Sequence, residues 1–282
     1  MLSLTAGPLT CTVDPALGGC IRSLQHDGLD VLRRAPDALA TARQASSYPL
    51  VPYSNRIAGG ALHWRGRSWQ LALNNAPEPH AIHGIGWQLP WEVISSAADS
   101  AELVLRHAAD ERWPFAFESR QVFRLSATAL DLELSVTNTG SEPAPAGLGW
   151  HPFFIKRPGA RVQVRTQGRW EMGADKLPTV RLPHTGIDGS TDALDVDHCF
   201  DGWDGVALLQ DDVLQARVTS GLQRIVVFTT PARDAIAIEP VSHVNNAYGA
   251  SPPGPATALG AAELEPGGTL QATMRIEVLR RG

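Results

Sequence analysis

Alternation of hydrophobic and polar residues recurs along the chain, whereas a sustained 3.6-residue period does not. Residues 130–136 (LDLELSV) place apolar side chains on one face and polar side chains on the other, and residues 161–165 and 273–279 repeat the pattern. A period of two residues is typical of a strand with one buried face. These three segments therefore predict strands, whereas residues 29–34 and 37–43 predict only short helical turns.

Turn-forming residues are abundant between these segments, and no shift in composition divides the chain. The 26 Gly and 21 Pro among 282 residues supply the turns that many hairpins require. The Pro-rich segment 251–255 is interpreted as a loop rather than a linker, because only one or two strands could follow it. A hydrophobic content of 43% is enough for a sizeable core. We therefore expect one all-β domain over residues 1–282, a large antiparallel β-sandwich with few short helices.

Charge and cysteine content argue against several classes of protein. The formal net charge is -5 and no cluster of Lys or Arg stands out, which argues against nucleic-acid binding. The three cysteines form no CxxC pair and no disulfide framework, as is typical of a reducing compartment. No signal peptide or membrane span is predicted. We expect a cytoplasmic protein that binds neither nucleic acid nor membrane, with monomer and homodimer both open.

Glu239 is an acid within an apolar strand pattern. It lies in residues 235–241 (AIAIEPV), which follow a second β-rich run at residues 224–230. A buried carboxylate must be paired or hydrogen-bonded, because its desolvation alone is costly. Pro240 removes one ladder donor and restricts the residue before it, so we expect the strand to end there, at the rim of a sheet. The acid is then either a surface ion-pair partner or part of a site.

Two further segments carry an arginine and a pair of histidines. Arg56 stands between two prolines and two glycines in residues 48–60, where its guanidinium either donates to oxygen-rich ligands or closes an exposed hairpin. His80 and His83 lie in residues 80–87 without a carboxylate or cysteine at a recognised ligand spacing, so we expect no metal site. If this segment is a strand, only one of the two histidines can face a pocket.

Two more segments combine a histidine or acids with aromatic residues. His151 lies in residues 147–154 (GLGWHPFF), a setting that suits acid–base work or a hydrogen-bonded core histidine. Asp197 lies among several acids in residues 194–203, which suit sugar hydroxyls or calcium but lack EF-hand spacing. Four of the eight tryptophans lie in or beside these segments, and each can stack on a sugar ring or fill the core: Trp87, Trp91, Trp150 and Trp203.

Five short motifs occur in one order along residues 51–240: VPYSNRI, IHG, GWHPFF, DHCF and IEP. Together they resemble the aldose 1-epimerase (mutarotase) family over most of the chain. The resemblance implies a galactose mutarotase-like sandwich with an open sugar cleft and no cofactor. It also implies that Glu239 is the general base and His151 the general acid. His83 would hold the sugar near its reacting end, and Arg56 and Asp197 would contact sugar hydroxyls. Trp150, beside His151, is a further candidate for substrate contact.

The resemblance implies that the protein interconverts the α and β anomers of a free aldose. A base removes the proton of the C1 hydroxyl while an acid protonates the ring oxygen, and the ring opens and recloses. Such chemistry requires an ionised Glu239 and a protonated His151, and we expect their proximity to stabilise both charged forms.

Alternatives stay open at this point. An epimerase of an anionic aldose, such as a hexose 6-phosphate or a sulfonated sugar, would need a basic pocket, formed by Arg56 with Arg22, Arg65 or Arg67. A non-catalytic carbohydrate-binding protein would bind sugars without accelerating anomer exchange, and a glycosidase would want two facing carboxylates. Gly84 is followed by Ile85, and His80 does not stand two residues before His83. These departures from the common galactose-type pattern leave the identity of the sugar open.

Overall fold

The computed structural model describes residues 1–281, which are mostly antiparallel β-sheet. Strands β1 to β14 are, in order, Leu2–Ala6, Leu9–Asp14, Cys20–His26, Leu29–Asp30, Pro49–Leu50, Arg56–Ile57, Ala61–Trp64, Arg67–Gln70, Ala81–Ile82, Glu92–Ser96, Ser100–His107, Phe117–Leu125, Ala129–Asn138 and Ala144–Ala146. Strands β15 to β27 are Gly149–Trp150, Phe153–Ile155, Arg161–Arg165, Gly168–Met172, Pro178–Pro183, Gly186–Ser190, Val196–Asp201, Val206–Gln210, Leu214–Ser220, Arg224–Thr229, Ala235–Val241, Ala262–Leu264 and Thr269–Arg280. The helical elements are short: α1 at Ala256–Leu259 and 3-10 turns at Ala42–Gln44 and Ala58–Gly60.

Two large sheets form a sandwich around one hydrophobic core. The nine-stranded sheet has the order β10-β11-β12-β13-β27-β23-β22-β17-β20. The eight-stranded sheet has the order β19-β18-β21-β24-β25-β15-β5, and β16 also pairs with β25. Strands β1 to β4 form a smaller sheet, and β14-β26, β6-β9 and β7-β8 form two-stranded sheets. The predicted all-β, antiparallel sandwich is confirmed.

The alternating segments fold as the pattern predicts. In β13, Leu130, Leu132 and Leu134 are buried, whereas the residues between them are partly exposed. Strand β17 coincides with the predicted segment, and β27 contains its predicted one. Within the described chain, no helix is both long enough and apolar enough to cross a membrane.

The two predicted helical turns agree with the structure less closely than the predicted strands do. The one expected at residues 29–34 is wrong, because Leu29 and Asp30 pair with β3 as strand β4. The one at residues 37–43 overlaps only the start of the 3-10 turn Ala42–Gln44. Residues 251–255 form a loop as predicted, and α1, β26 and β27 follow it.

Strand β25 does not end at Glu239, as had been expected from Pro240, but continues to Val241. It lies inside the eight-stranded sheet, between β24 and the pair β15 and β16, and all seven of its residues are buried. The missing N–H of Pro240 is tolerated because Pro240 lies against the end of β15, where the ladder is interrupted before β16 begins. Glu239 is therefore a residue of a central strand and not of the sheet rim.

Candidate functional site

Strand register places His151 beside Glu239. Gly149 of β15 is opposite Val241, and Phe153 of β16 is opposite Ala237, so the same register across the interruption sets His151 opposite Glu239. Side chains at a non-hydrogen-bonded antiparallel position approach each other closely. Accordingly, His151 Nε2 lies 3.2 Å from Glu239 Oε1, and both side chains are buried.

Neighbouring strands contribute residues to the same sheet face. Val226 of β24 is opposite Glu239, and Phe228 is opposite Ala237. Asp197 of β21 is opposite Phe228 in turn. Because alternate residues of a strand share a face, these three side chains lie on the face that carries Glu239. They form the floor of a pocket.

Aromatic rings fix the orientation of His151. The ring of Tyr48 stacks on the imidazole with centroids 4.8 Å apart, and the ring of Phe153 lies at 4.4 Å. The imidazole of His83 meets it edge-on at 5.3 Å. The backbone N–H of His151 donates to the carbonyl of Tyr48 at 3.0 Å. These contacts restrict the ring to one plane, so its Nε2 points at Glu239.

Two residues with left-handed backbone conformations form the side of the pocket. Asn55 has a φ of 56° and His83 a φ of 62°. The backbone N–H of Asn55 donates to His83 Nδ1 at 3.1 Å, and the N–H of His83 donates to the carbonyl of Asn55 at 2.9 Å. Because Nδ1 accepts, the neutral ring carries its proton on Nε2, which is left free to donate. Gly84 (φ 67°) follows, and a Cβ there would lie 2.2 Å from the carbonyl oxygen of Val51.

Arg56 is buried, which excludes the interpretation that it is an exposed arginine closing a hairpin. Its Nε and Nη2 donate to the carboxylate of Glu78 at 3.2 and 3.1 Å, and its Nη1 donates to Asn55 Oδ1 at 3.3 Å. A guanidinium has five N–H groups, so one remains on each Nη. The fork is held rigidly by Glu78 and Asn55 and still has donors for the pocket.

The pocket has a volume of about 170 Å³. Its wall consists of residues from strands and loops distant in sequence: Arg43, Asn55, Arg56, Glu78, Ile82, His83, His151, Lys176, Asp197, Val226, Phe228, Arg233 and Glu239. The structure therefore brings together five of the six predicted site residues. His80 lies outside this wall, and its Nδ1 accepts from the N–H of Gly59 at 3.0 Å.

Trp150 is the sixth predicted site residue, and its expected contact with substrate is wrong. It precedes His151, so its side chain points to the opposite face of the sheet and packs in the core with 2% exposure. Trp87, Trp91 and Trp203 are buried in the same core. Eight further residues of the wall were not predicted, and five of them are polar. Asn55 lay within a quoted motif, whereas the others carried no signal of their own: Arg43, Glu78, Lys176 and Arg233.

Burial shifts the pKa of each reacting group toward its neutral form. Desolvation raises the pKa of Glu239 well above 4.5, and the charge of Asp197 adds to the rise. Desolvation also lowers the pKa of His151 well below 6.5, and the charge of Arg43 lowers it further. The expectation that proximity alone would keep both groups charged is thus opposed by burial. The contact is compatible with one shared proton, held either as carboxylic acid and imidazole or as carboxylate and imidazolium.

Two polar atoms of this pair have no assigned bond. Glu239 Oε2 and His151 Nδ1 are buried, and neither has a hydrogen-bond partner among residues 1–281. Buried polar atoms are usually satisfied, so an unsatisfied acid oxygen at a pocket wall calls for an explanation by ligand or strain.

The arginines expected to form a basic pocket with Arg56 lie elsewhere. Arg22 contacts Asp14 at 3.3 Å, and the other two form surface ion pairs, Arg65 with Glu263 and Arg67 with Glu142. That combination is wrong, because none of the three lies on the pocket wall. No group of three or more His, Cys, Asp and Glu side chains in the described part of the chain is arranged to hold a metal ion.

Comparison with known proteins identifies first the fold and then the family. The sandwich is galactose mutarotase-like: a galactose mutarotase-like protein from Clostridium acetobutylicum superimposes with a TM-score of 0.86 at 19% identity, covering 99% of this chain and 94% of that one. The family model for aldose 1-epimerase matches residues 2–277. The chain belongs to the aldose 1-epimerase family.

Relatives from Escherichia coli K12 are similar in sequence or in structure. A candidate aldose 1-epimerase has a TM-score of 0.89 at 27% identity, covering 99% of this chain and 98% of that one. The uncharacterized protein YphB is 38% identical over 153 residues, and the uncharacterized protein YihR is 30% identical over 155 residues. Each alignment covers 54% of this chain, and the chain spans about half the length of these two curated relatives, 51% and 49%.

Proposed function

We propose that this protein is an aldose 1-epimerase that interconverts the α and β anomers of a free aldose, with Glu239 as base and His151 as acid. Membership of the aldose 1-epimerase family supports the reaction class. The observation that carries the assignment of residues is the buried 3.2 Å contact between His151 Nε2 and Glu239 Oε1 on the pocket wall.

The reaction balances when the pair holds one proton. The Glu239 carboxylate accepts the proton of the C1 hydroxyl, and the His151 imidazolium donates its proton to the ring oxygen. The bond between C1 and the ring oxygen breaks as the C1 carbonyl forms, which gives the open-chain aldehyde. Rotation about the C1–C2 bond and the reverse transfers then close the ring as the other anomer.

The environment of the pair stabilises each of its two stages by a different effect. Before ring opening, the pair is carboxylate and imidazolium, and the 3.2 Å contact offsets part of the cost of burying both charges. At the aldehyde stage, the pair is carboxylic acid and imidazole, the forms that burial favours. Opposed effects of this kind bring the two stages close in energy, as reversible proton transfer requires.

The other wall residues bind and orient the sugar. His83 presents Nε2–H as a donor toward an oxygen near the reacting end, because its Nδ1 is occupied by the N–H of Asn55. Arg56, held by Glu78, and the partly exposed Asp197 offer a donor and an acceptor to hydroxyl groups. A rigid first set of contacts is what an orientation-dependent reaction needs.

The proposal is tested by NMR exchange spectroscopy at anomeric equilibrium, with a panel of neutral, phosphorylated, sulfonated and carboxylated aldoses. We expect the exchange rate for at least one sugar to rise in proportion to protein concentration, above its uncatalysed rate. Binding without faster exchange for any sugar would contradict the proposal and identify a carbohydrate-binding protein without catalysis.

A further inference from the structure

Positive charge on the pocket wall exceeds what the neighbouring acids neutralise. Among the cations, Arg56 is paired with Glu78 at 3.1 Å, and Lys176 lies 3.9 Å from Asp197. The remaining acid of the wall, Glu239, contacts His151. Two wall cations, Arg43 and Arg233, form no salt bridge with any residue of the described chain.

Arg43 approaches Tyr48 with its side chain, but one of its buried nitrogens has no hydrogen-bond partner in the described chain. It lies in the 3-10 turn Ala42–Gln44, and its Nη1 is buried without a hydrogen-bond partner within residues 1–281. Burying an unsatisfied guanidinium N–H is costly, so a ligand that accepts from it would remove a penalty present in the empty pocket. Its charge also contributes to the lowered pKa of His151 and of His83, an effect that acts through space and needs no contact with either ring.

Arg233 is held over the pocket floor by a different contact. It lies in the turn between β24 and β25, and its guanidinium carbon is 4.4 Å from the ring centroid of Phe228. An arginine over an aromatic face is stabilised without losing its hydrogen-bond donors. Arg233 is exposed, which places a free guanidinium at the mouth of the pocket.

From these two arginines we infer that the pocket takes an aldose that carries an anionic group, a phosphate, sulfonate or carboxylate, and that Arg43 and Arg233 bind that group. The reaction on this sugar rests on the proposed function, whereas the recognition of the anion does not. Neutral donors and paired cations are sufficient to bind sugar hydroxyls, and this wall already has both. Two guanidinium forks without acid partners match the several oxygens of an oxyanion instead.

The anionic group must lie away from the reacting carbon. C1 and the ring oxygen have to reach Glu239 and His151, whose side chains touch each other on the floor. Arg43 and Arg233 come from loops outside the strands that carry this pair. An aldose with its charge on the exocyclic carbon at the far side of the ring satisfies both requirements.

The test compares glucose with three derivatives charged at C6, namely glucose 6-phosphate, 6-deoxy-6-sulfoglucose and glucuronate. Dissociation constants are measured by isothermal titration calorimetry, and anomer exchange is measured by NMR on the same samples. We expect the wild-type protein to bind at least one derivative about tenfold or more tightly than glucose. In Arg43→Gln and in Arg233→Gln, the dissociation constant of glucose divided by that of the derivative should fall by about tenfold.

Arg67→Gln provides the matched control. It removes the same charge from an exposed arginine paired with Glu142, outside the pocket wall, so the ratio should stay at its wild-type value. Thermal unfolding of each variant checks that it is folded.

Two outcomes would overturn the inference: wild-type protein that binds glucose as tightly as all three derivatives, or a ratio that both pocket variants leave unchanged. Anion-selective binding without anomer exchange would instead refute the proposed function alone. The three derivatives also identify which anionic group is preferred.

Discussion

Two acids, one on each of the large sheets, lie in opposite surroundings. On the nine-stranded sheet, Asp131 accepts from Arg275 at 2.8 and 2.6 Å, and both side chains are 40% exposed beside an open depression of about 500 Å³. On the eight-stranded sheet, Glu239 is almost fully buried, with one oxygen on His151 and the other without a partner in the described residues. The larger depression thus contains an ion pair that water already stabilises, whereas the smaller pocket holds buried polar groups without partners. Groups of the second kind are typical of sites shaped for chemistry.

The largest expected effect is on the rate of anomer exchange, which should depend on Glu239 and not on Asp131. Glu239→Gln and His151→Asn should each lower kcat/KM for anomer exchange by about 100-fold or more, because each removes one partner of the proton transfer. Asp131→Asn, the matched acid-to-amide change on the other sheet, should leave it within about twofold, since its carboxylate only pairs with Arg275. NMR exchange rates, corrected for the uncatalysed rate, provide the measurement. A near-wild-type rate in either pocket variant would remove that residue from the mechanism.

A smaller effect compares two arginines. Arg56→Lys should lower kcat/KM by about tenfold, because an ammonium cannot bond Glu78 through two nitrogens and Asn55 through a third. Arg275→Lys changes the exposed pair of the nine-stranded sheet in the same way and should have no effect on activity. Equal losses in the two variants, under the same exchange assay, would show that the pocket arginine has no special role.

The smallest effect concerns stability and its dependence on pH. Since burial raises the folded-state pKa of Glu239 above 4.5, the folded protein holds this proton more tightly than the unfolded chain. The stability that results is present below pH 4.5 and is lost as pH rises toward the folded-state pKa. Glu239→Gln should therefore raise the free energy of unfolding by about 1 kcal/mol or more at pH 8, and by less at pH 5.

The control for stability again lies on the other sheet. Asp131→Asn should change the free energy of unfolding by less than about 0.5 kcal/mol at either pH, as is usual for an exposed pair. Urea unfolding at both pH values provides the comparison. A Glu239→Gln variant less stable than wild type at pH 8 would mean that the buried carboxylate stabilises the fold.

The regular strands could be predicted from the sequence because their pattern depends only on local alternation. Strand β13 has one buried and one partly exposed face, so its period of two is visible in the residues themselves. Strand β25 is buried on both faces, and its apolar pattern predicted the strand but not the residue at which it ends. Pro240 does not end the strand, because its missing N–H coincides with the interruption between β15 and β16. That interruption depends on long-range pairing and is not visible in the local sequence.

The site could be predicted only where its residues lay in recognisable motifs. His151 and Glu239 were found separately, but their contact depends on the register between β15, β16 and β25. Arg43 and Arg233 lie in turns and belong to none of the five motifs, so no local pattern indicates their role. Trp150 is adjacent to His151, and because neighbouring residues of a strand face opposite sides of a sheet, it packs in the core and not in the pocket.

The central claim, that His151 and Glu239 act as one unit with a shared proton, is tested most directly by the pH dependence of kcat/KM. Adding a second proton requires charging His151, whose pKa lies below 6.5, and removing the shared proton requires ionising a carboxyl group whose pKa lies well above 4.5. We therefore predict that kcat/KM for anomer exchange shows no decline with a midpoint near pH 6.5, the pKa of an ordinary imidazole. A fall of about tenfold per pH unit above 6.5, as expected of an isolated imidazolium acid, would contradict the account.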